Sequence, residues 1–251
     1  MLATAAAAGD HKLIFVNNSQ LVGPNIMDNV YIYDPATKTV SDGLFKHGTG
    51  LPSEPSYVSG ACVCGDNYFT IFADPSADQT GIFRVKGLKA GTATSTEVQS
   101  FPHIPHAVTC DPDDTTNSKV LVVASTPNQS QDGPLSFSFF RYDMVAGNVT
   151  KLVDIDPSSL PAYDGFDSVF HFTEDQKELW ITFAESYGEG GPNGGVVTIV
   201  DVPTGAVKYS QKVDLSAFGF GTKSFVYAIL PQKSGATTAI GFVGKVISNG
   251  G

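Results

Sequence analysis

Arginine is almost missing from this chain. Its 251 residues hold two, Arg84 and Arg141, among 15 basic and 25 acidic residues, for a net charge of −10. A nucleic-acid surface needs clustered Arg and Lys to displace counterions from phosphates, so that class of partner is not expected. Long apolar runs are missing too. None reaches the roughly 20 residues of a membrane span, so no membrane partner is expected. Cysteine is thin: Cys62, Cys64 and Cys110. Three is odd, which leaves at least one thiol free or paired between chains, the latter giving a homodimer. Cys62 and Cys64 share a strand and a direction. No His or carboxylate near them completes a zinc pattern, so all three read as small buried hydrophobes.

What the chain has is strands. It is 41% apolar, with 26 Gly and 15 Pro to make turns, which suits one large all-β domain. Residues 166–215 read as four strands in a row: 167–175 (DSVFHFTED), 178–186 (ELWITFAES), 195–204 (GVVTIVDVPT) and 206–215 (AVKYSQKVDL). Each is rich in Val, Ile, Phe, Thr and Tyr and bounded by turn residues. Their short-long-short loop rhythm is that of one propeller blade. The unit recurs at 12–40 and 119–149, as a β-branched strand, a Gly-Pro loop, then a strand ending in Asp34, Asp143 or Asp201. Asp143 and Asp201 are 58 residues apart, and a looser copy lies at 67–93.

The pattern predicts blade one at 12–19, 29–35 and 39–45, without an innermost strand. Blade two is 55–65, 67–75, 81–88 and 95–101. Blade three is 106–111, 119–126, 136–144 and 149–156. The 166–215 stretch is blade four, and 222–231 and 236–245 add two strands, about 17 in all. The expected fold is therefore an all-β, four-stranded-blade β-propeller over residues 11–251, most simply five-bladed and closed by both termini. A four-bladed ring with an extra strand, an open fragment and a β-sandwich are the alternatives. Residues 1–10 (MLATAAAAGD) resemble the end of a secretory signal peptide lacking its basic start, or a disordered tail. Three sequons, at Asn17, Asn128 and Asn148, agree with a secreted glycoprotein.

Loop lengths point to a site. Turns between the first and second and between the third and fourth strands of each blade are mostly short. The second-to-third loops and the links between blades are long, and in a propeller those share one face. Long loops tend to carry function. The links bring His103, His106, Glu54, Asp164, Asp167 and Lys223 to that face; flanking loops add Met27, Tyr163, Phe166, Glu185, Tyr187, Phe218 and Phe220. A few titratable groups among aromatics is the make-up of a small-molecule pocket. His106 or His103 would serve as general acid or base, Glu54 or Asp164 would orient it or share the proton, and Lys223 would steady developing negative charge. Each has a plainer role as a strand cap, a turn residue or a solvated loop charge. Phe218 and Phe220, flanked by Gly, suit a pocket wall. Phe137, Phe139, Phe140 and Trp180 read as sheet core. The polar loop 112–118 reads as a solvated turn.

Residues 101–123 (FPHIPHAVTCDPDDTTNSKVLVV) resemble the lactonase and muconate-cyclase type of propeller. There a Pro-His-Ala segment opens an inner strand and Asp-Pro follows, here Pro105, His106, Ala107, Asp111 and Pro112. The resemblance implies ring opening or closing on a small molecule, with His106 as the carried-over group. The chain departs from that family at Val108, where a second His is common, and in having no arginine on a pocket loop to hold an anionic substrate. In layout it is also similar to calcium-dependent gluconolactonase-type propellers, for which Glu54 and Asp167 would be oxygen ligands; no motif enforces a metal, and neither metal nor other cofactor is expected. Aromatic and Gly-rich loops favour a neutral, apolar substrate, as in secreted fungal natural-product cyclases, hetero-Diels–Alderases among them, which would work by holding partners in reactive geometry. The competing readings are a carbohydrate-binding propeller lectin, disfavoured because the loops do not repeat, and a secreted interaction scaffold.

Overall fold

The computed structural model describes residues 13–17, 29–34, 37–46, 57–74, 79–86, 95–125, 136–160, 168–184, 195–213, 224–234 and 237–245. They form two compact units, residues 1–102 and 103–251. In the first, β1 (Leu13–Asn17), β2 (Asn29–Asp34) and β3 (Thr39–Lys46) make a three-stranded antiparallel sheet. There β4 (Tyr57–Cys64), β5 (Asn67–Asp74), β6 (Gln79–Lys86) and β7 (Ser95–Ser100) make a four-stranded one in chain order. Among its described side chains, Phe69, Ile71 and Ile82 are fully buried.

The second unit holds two more four-stranded antiparallel sheets. One is β8 (Ile104–Cys110), β9 (Lys119–Ser125), β10 (Phe137–Asp143) and β11 (Asn148–Asp154). The other is β12 (Ser168–Phe172), β13 (Glu178–Ala184), β14 (Gly195–Asp201) and β15 (Val207–Val213). A hairpin of β16 (Ser224–Ser234) and β17 (Thr237–Lys245) follows, with β16 lying against β12, β13 and β14. These 17 strands sit where the alternation of residues places them, with ends shifted by a few residues. Among the described residues the sole helical turn is a 3-10 turn at Pro157–Ser159, capped by Asp156.

Burial follows position in the sheet. The inner strands β9 and β10 are covered on both faces, so they run KVLVVAS and FSFFRYD with scarcely a polar gap. The outermost β11 and β15 are mostly exposed and alternate with polar residues. Between the two sheets Ala107, Leu121, Val123, Phe137 and Phe139 meet Phe170, Leu179, Ile181, Phe183 and Val200. Each fully buried side chain of this size is worth about 1.5–3 kcal/mol.

The repeated aspartate is turn chemistry. Asp143 Oδ1 accepts from the Val145 and Ala146 N–H at 2.9 and 3.0 Å. Asp201 Oδ2 accepts from the Thr204 hydroxyl at 2.6 Å, and Asp34 Oδ1 from the Thr37 N–H at 3.3 Å. Gly147 and Gly205, both at φ 69°, send their N–H back to the Asp143 and Asp201 carbonyls at 2.8 Å. Gly205 has a second constraint: a Cβ there would overlap the carbonyl oxygen of Asp154.

The cysteines need a correction. Cys64 is buried but oxidised rather than packed as a free hydrophobe, and Cys62 carries the free thiol. Cys62 and Cys64 do point the same way, with Sγ atoms 3.7 Å apart. Burial pushes the Cys62 thiol pKa up, which keeps it protonated.

Candidate functional site

The site is built where β8 begins. Pro105 pairs with Ala124 and Ala107 with Val123, so the ladder skips His106 and the strand bulges there. A bulge re-aims a side chain out of strict alternation. It turns His106 to the same side as its neighbour Ala107, toward the second sheet. There its Nε2 lies 2.8 Å from Ser125 Oγ. Ser125 is the last residue of β9 and is buried. The ring stacks on Phe170 of β12 at 4.9 Å and 30°, and meets Phe137 edge-on at 5.2 Å. Phe137 and Phe170 touch each other at 5.3 Å. One histidine is thus held by one hydroxyl and two aromatic faces from three strands.

The electrostatics follow from that packing. Burial strips water from the imidazolium and pulls the His106 pKa down to about 4. The ring is therefore neutral at physiological pH, with one nitrogen a donor and the other an acceptor. Its pKa lies below neutrality because of that burial. A neutral, half-buried imidazole offers a directed hydrogen bond, strengthened where water is excluded.

His103 does not join it. It stacks on Phe140 at 4.3 Å and 26°. Phe140 and Phe137 are three residues apart on β10, so they point to opposite faces of the sheet. Burial and the nearby charge of Lys151 lower the His103 pKa. A further histidine, His171, sits one residue beyond Phe170 on the other face of β12. It pairs across the strands with Trp180, its Nε2 has no hydrogen-bond partner among the described residues, and burial takes its pKa to about 4. Trp180, expected in the core, is half-buried, with its Nε1–H donating to Glu178 Oε2 at 3.3 Å. Phe137, Phe139 and Phe140 are buried as expected.

The other candidates, Glu54, Asp164, Asp167, Lys223, Met27, Tyr163, Phe166, Glu185, Tyr187, Phe218 and Phe220, lie outside the described residues. Ser125 and Phe170 were not singled out in the sequence. A serine closing a Val-rich strand, next to a Pro-His-Ala segment, is the local signal for the first. Phe170 arrives from the next sheet and leaves no local signal.

Both arginines are committed elsewhere. Arg84 is 4% exposed within its own sheet. Arg141 Nε lies 2.5 Å from Asp111 Oδ2, and its Nη2 donates to Asp111 Oδ1 at 3.1 Å and Asp113 Oδ2 at 2.9 Å. The Asp111 side chain is 1% exposed. The loop 112–118 is more than a solvated turn. Asp114 accepts from the N–H groups of Thr116, Ser118 and Lys119 and from the Thr116 hydroxyl, at 2.6–2.9 Å. Partial burial would raise its pKa, but these four bonds overcome it and hold the carboxyl at about 2.

No protein-family model and no curated protein matches the chain. Among solved structures it is similar to the exo-β-1,3-galactanase of Phanerochaete chrysosporium with galactose, at 13% identity and TM-score 0.53, covering 91% of this chain and 53% of that one. A variant of that protein with β-1,3-galactotriose matches at 14% identity, TM-score 0.53, 91% and 53%. The β-propeller domain of the Trilobed protease from Pyrococcus furiosus matches at 11% identity and TM-score 0.36, covering 75% of this chain and 52% of that one. The chain spans about half the length of these structures. The fold is that of a β-propeller, with the four-stranded antiparallel sheets as its blades.

Proposed function

We propose that this chain is the propeller part of an enzyme that closes, opens or rearranges a ring in a small uncharged molecule. The observation that carries this reading is the His106–Ser125 pair stacked on Phe170: a neutral, desolvated hydrogen-bonding group set against aromatic faces. The substrate ring would lie against that aromatic step. The His106 nitrogen not taken by Ser125 would hydrogen-bond a carbonyl or hydroxyl on it, and would steady charge that develops there without a proton leaving the enzyme. The engagement of Arg84 and Arg141 in the fold agrees with an uncharged rather than an anionic substrate. The likeness of residues 101–123 to lactonase and muconate-cyclase propellers supports the same assignment of His106. Passage through the secretory pathway belongs to this reading, on the leader-like residues 1–10.

The test is a thermal-shift and calorimetric screen of neutral lactones, apolar dienes, galactose and β-1,3-galactotriose against sugar phosphates and muconate. A neutral cyclic compound should raise Tm, and His106→Ala and Ser125→Ala should abolish that shift. If turnover is found, His106→Ala should lower it about a hundredfold, the scale of losing one hydrogen-bond donor to developing charge. Preferential binding of the anions, or binding indifferent to both substitutions, contradicts the proposal.

A further inference from the structure

Of the three sequons, Asn148-Val149-Thr150 is the one whose side chains are described, and both Asn148 and Thr150 are exposed. Asn148 opens β11 directly after the turn that Asp143 and Gly147 fix. The site is therefore rigidly presented, and a large substituent on its amide would point into solvent without displacing anything. β11 is also the outermost strand of its sheet, with one edge unpaired among the described residues. An open edge invites pairing with another chain, and proteins blunt it with charge, proline or bulk. The next sheet's outermost strand β15 carries Lys208 and Lys212, and on β11 charge is confined to its second half, in the exposed Lys151–Asp154 pair. The first three residues of β11 carry no charge, and they lie between the exposed apolar side chains of Val145 (75%) and Leu152 (42%). The oxidised state of Cys64 fits the oxidising compartment in which N-glycans are added.

We propose that Asn148 is an N-glycosylation site and that its glycan shields the open edge of β11. The donor class is a lipid-pyrophosphate-linked oligosaccharide. The bond from its anomeric carbon to the phosphate oxygen breaks, and the bond from that carbon to Asn148 Nδ2 forms. One amide proton leaves to base, and the lipid pyrophosphate departs with the electron pair. Thr150 supplies the hydroxyl that the sequon requires.

The experiment is secretion of the full chain from a eukaryotic host, followed by intact mass and peptide mapping before and after peptide N-glycosidase. Residue 148 should be recovered as Asp after the enzyme, and Asn148→Gln and Thr150→Ala should each lose one glycan mass while Thr150→Ser keeps it. Both glycan-less variants should keep the parent's circular dichroism yet associate, by light scattering, at concentrations where the glycosylated protein is monodisperse. Recovery of residue 148 as Asn throughout overturns the site. A glycan whose loss leaves association unchanged overturns the shielding.

Discussion

The two ends of the β8–β11 sheet handle polar groups in opposite ways. At the end with the short turns, Asp111, Asp113, Asp114 and Arg141 are densely bonded to each other or to backbone. At the other end His106 is neutral, bonded to a single hydroxyl and otherwise pressed against aromatic rings. The first arrangement fixes a fold. The second leaves a titratable group with no counter-charge among its neighbours, which costs stability in its charged form.

The largest effect should come from the charged end. Arg141→Met leaves the Asp111 carboxylate buried and unpaired, so urea unfolding should show a loss of about 3 kcal/mol. A loss under about 1 kcal/mol would mean that end is no anchor. Gly205→Ala, in the short turn of the next sheet, meets both the positive φ and the Asp154 carbonyl. It should cost about 1–3 kcal/mol in the same assay; a neutral result would show the turn yields freely.

Acid should separate the ends in order. His106 is lowered from an ordinary value near 6.5 to about 4. The unfolded chain therefore binds a proton that the folded one refuses. Its contribution is complete above about pH 6.5 and fades as pH falls toward 4. His171 adds to the same window. Asp114, held at about 2 against 3.8, contributes above about pH 3.8 and is lost only as pH falls through 2. The urea midpoint should drop between pH 6.5 and 4, and His106→Gln should flatten that drop; an unchanged slope would remove His106 from it. The smallest effect belongs to the exposed Lys151–Asp154 pair on β11. Lys151→Ala should change stability by less than about 0.5 kcal/mol, and a larger loss would make the outer strand part of the anchor.

The strands were legible because inner positions demand β-branched and aromatic residues on both faces while turns demand Asp and Gly. Hence β9 and β10 were readable to within a residue of their ends, and so was the Asp143 and Asp201 repeat. The bulge at Pro105–Ala107 was not legible. It depends on how two strands pair, and the sequence shows only that a histidine follows a proline. Phe170 was not legible as His106's partner either, because that contact joins residues 64 apart in the chain. Loop 112–118 looked merely polar because hydrogen bonds converging on Asp114 leave no mark in composition.

The central claim is that His106 is a neutral imidazole at working pH. The direct measurement is an NMR titration of the histidine ring resonances, with His106 assigned by His106→Gln. A midpoint near pH 4 is the expected result. A midpoint near 6.5 would make His106 an ordinary solvated histidine, and the proposed site would lose the group it is built on.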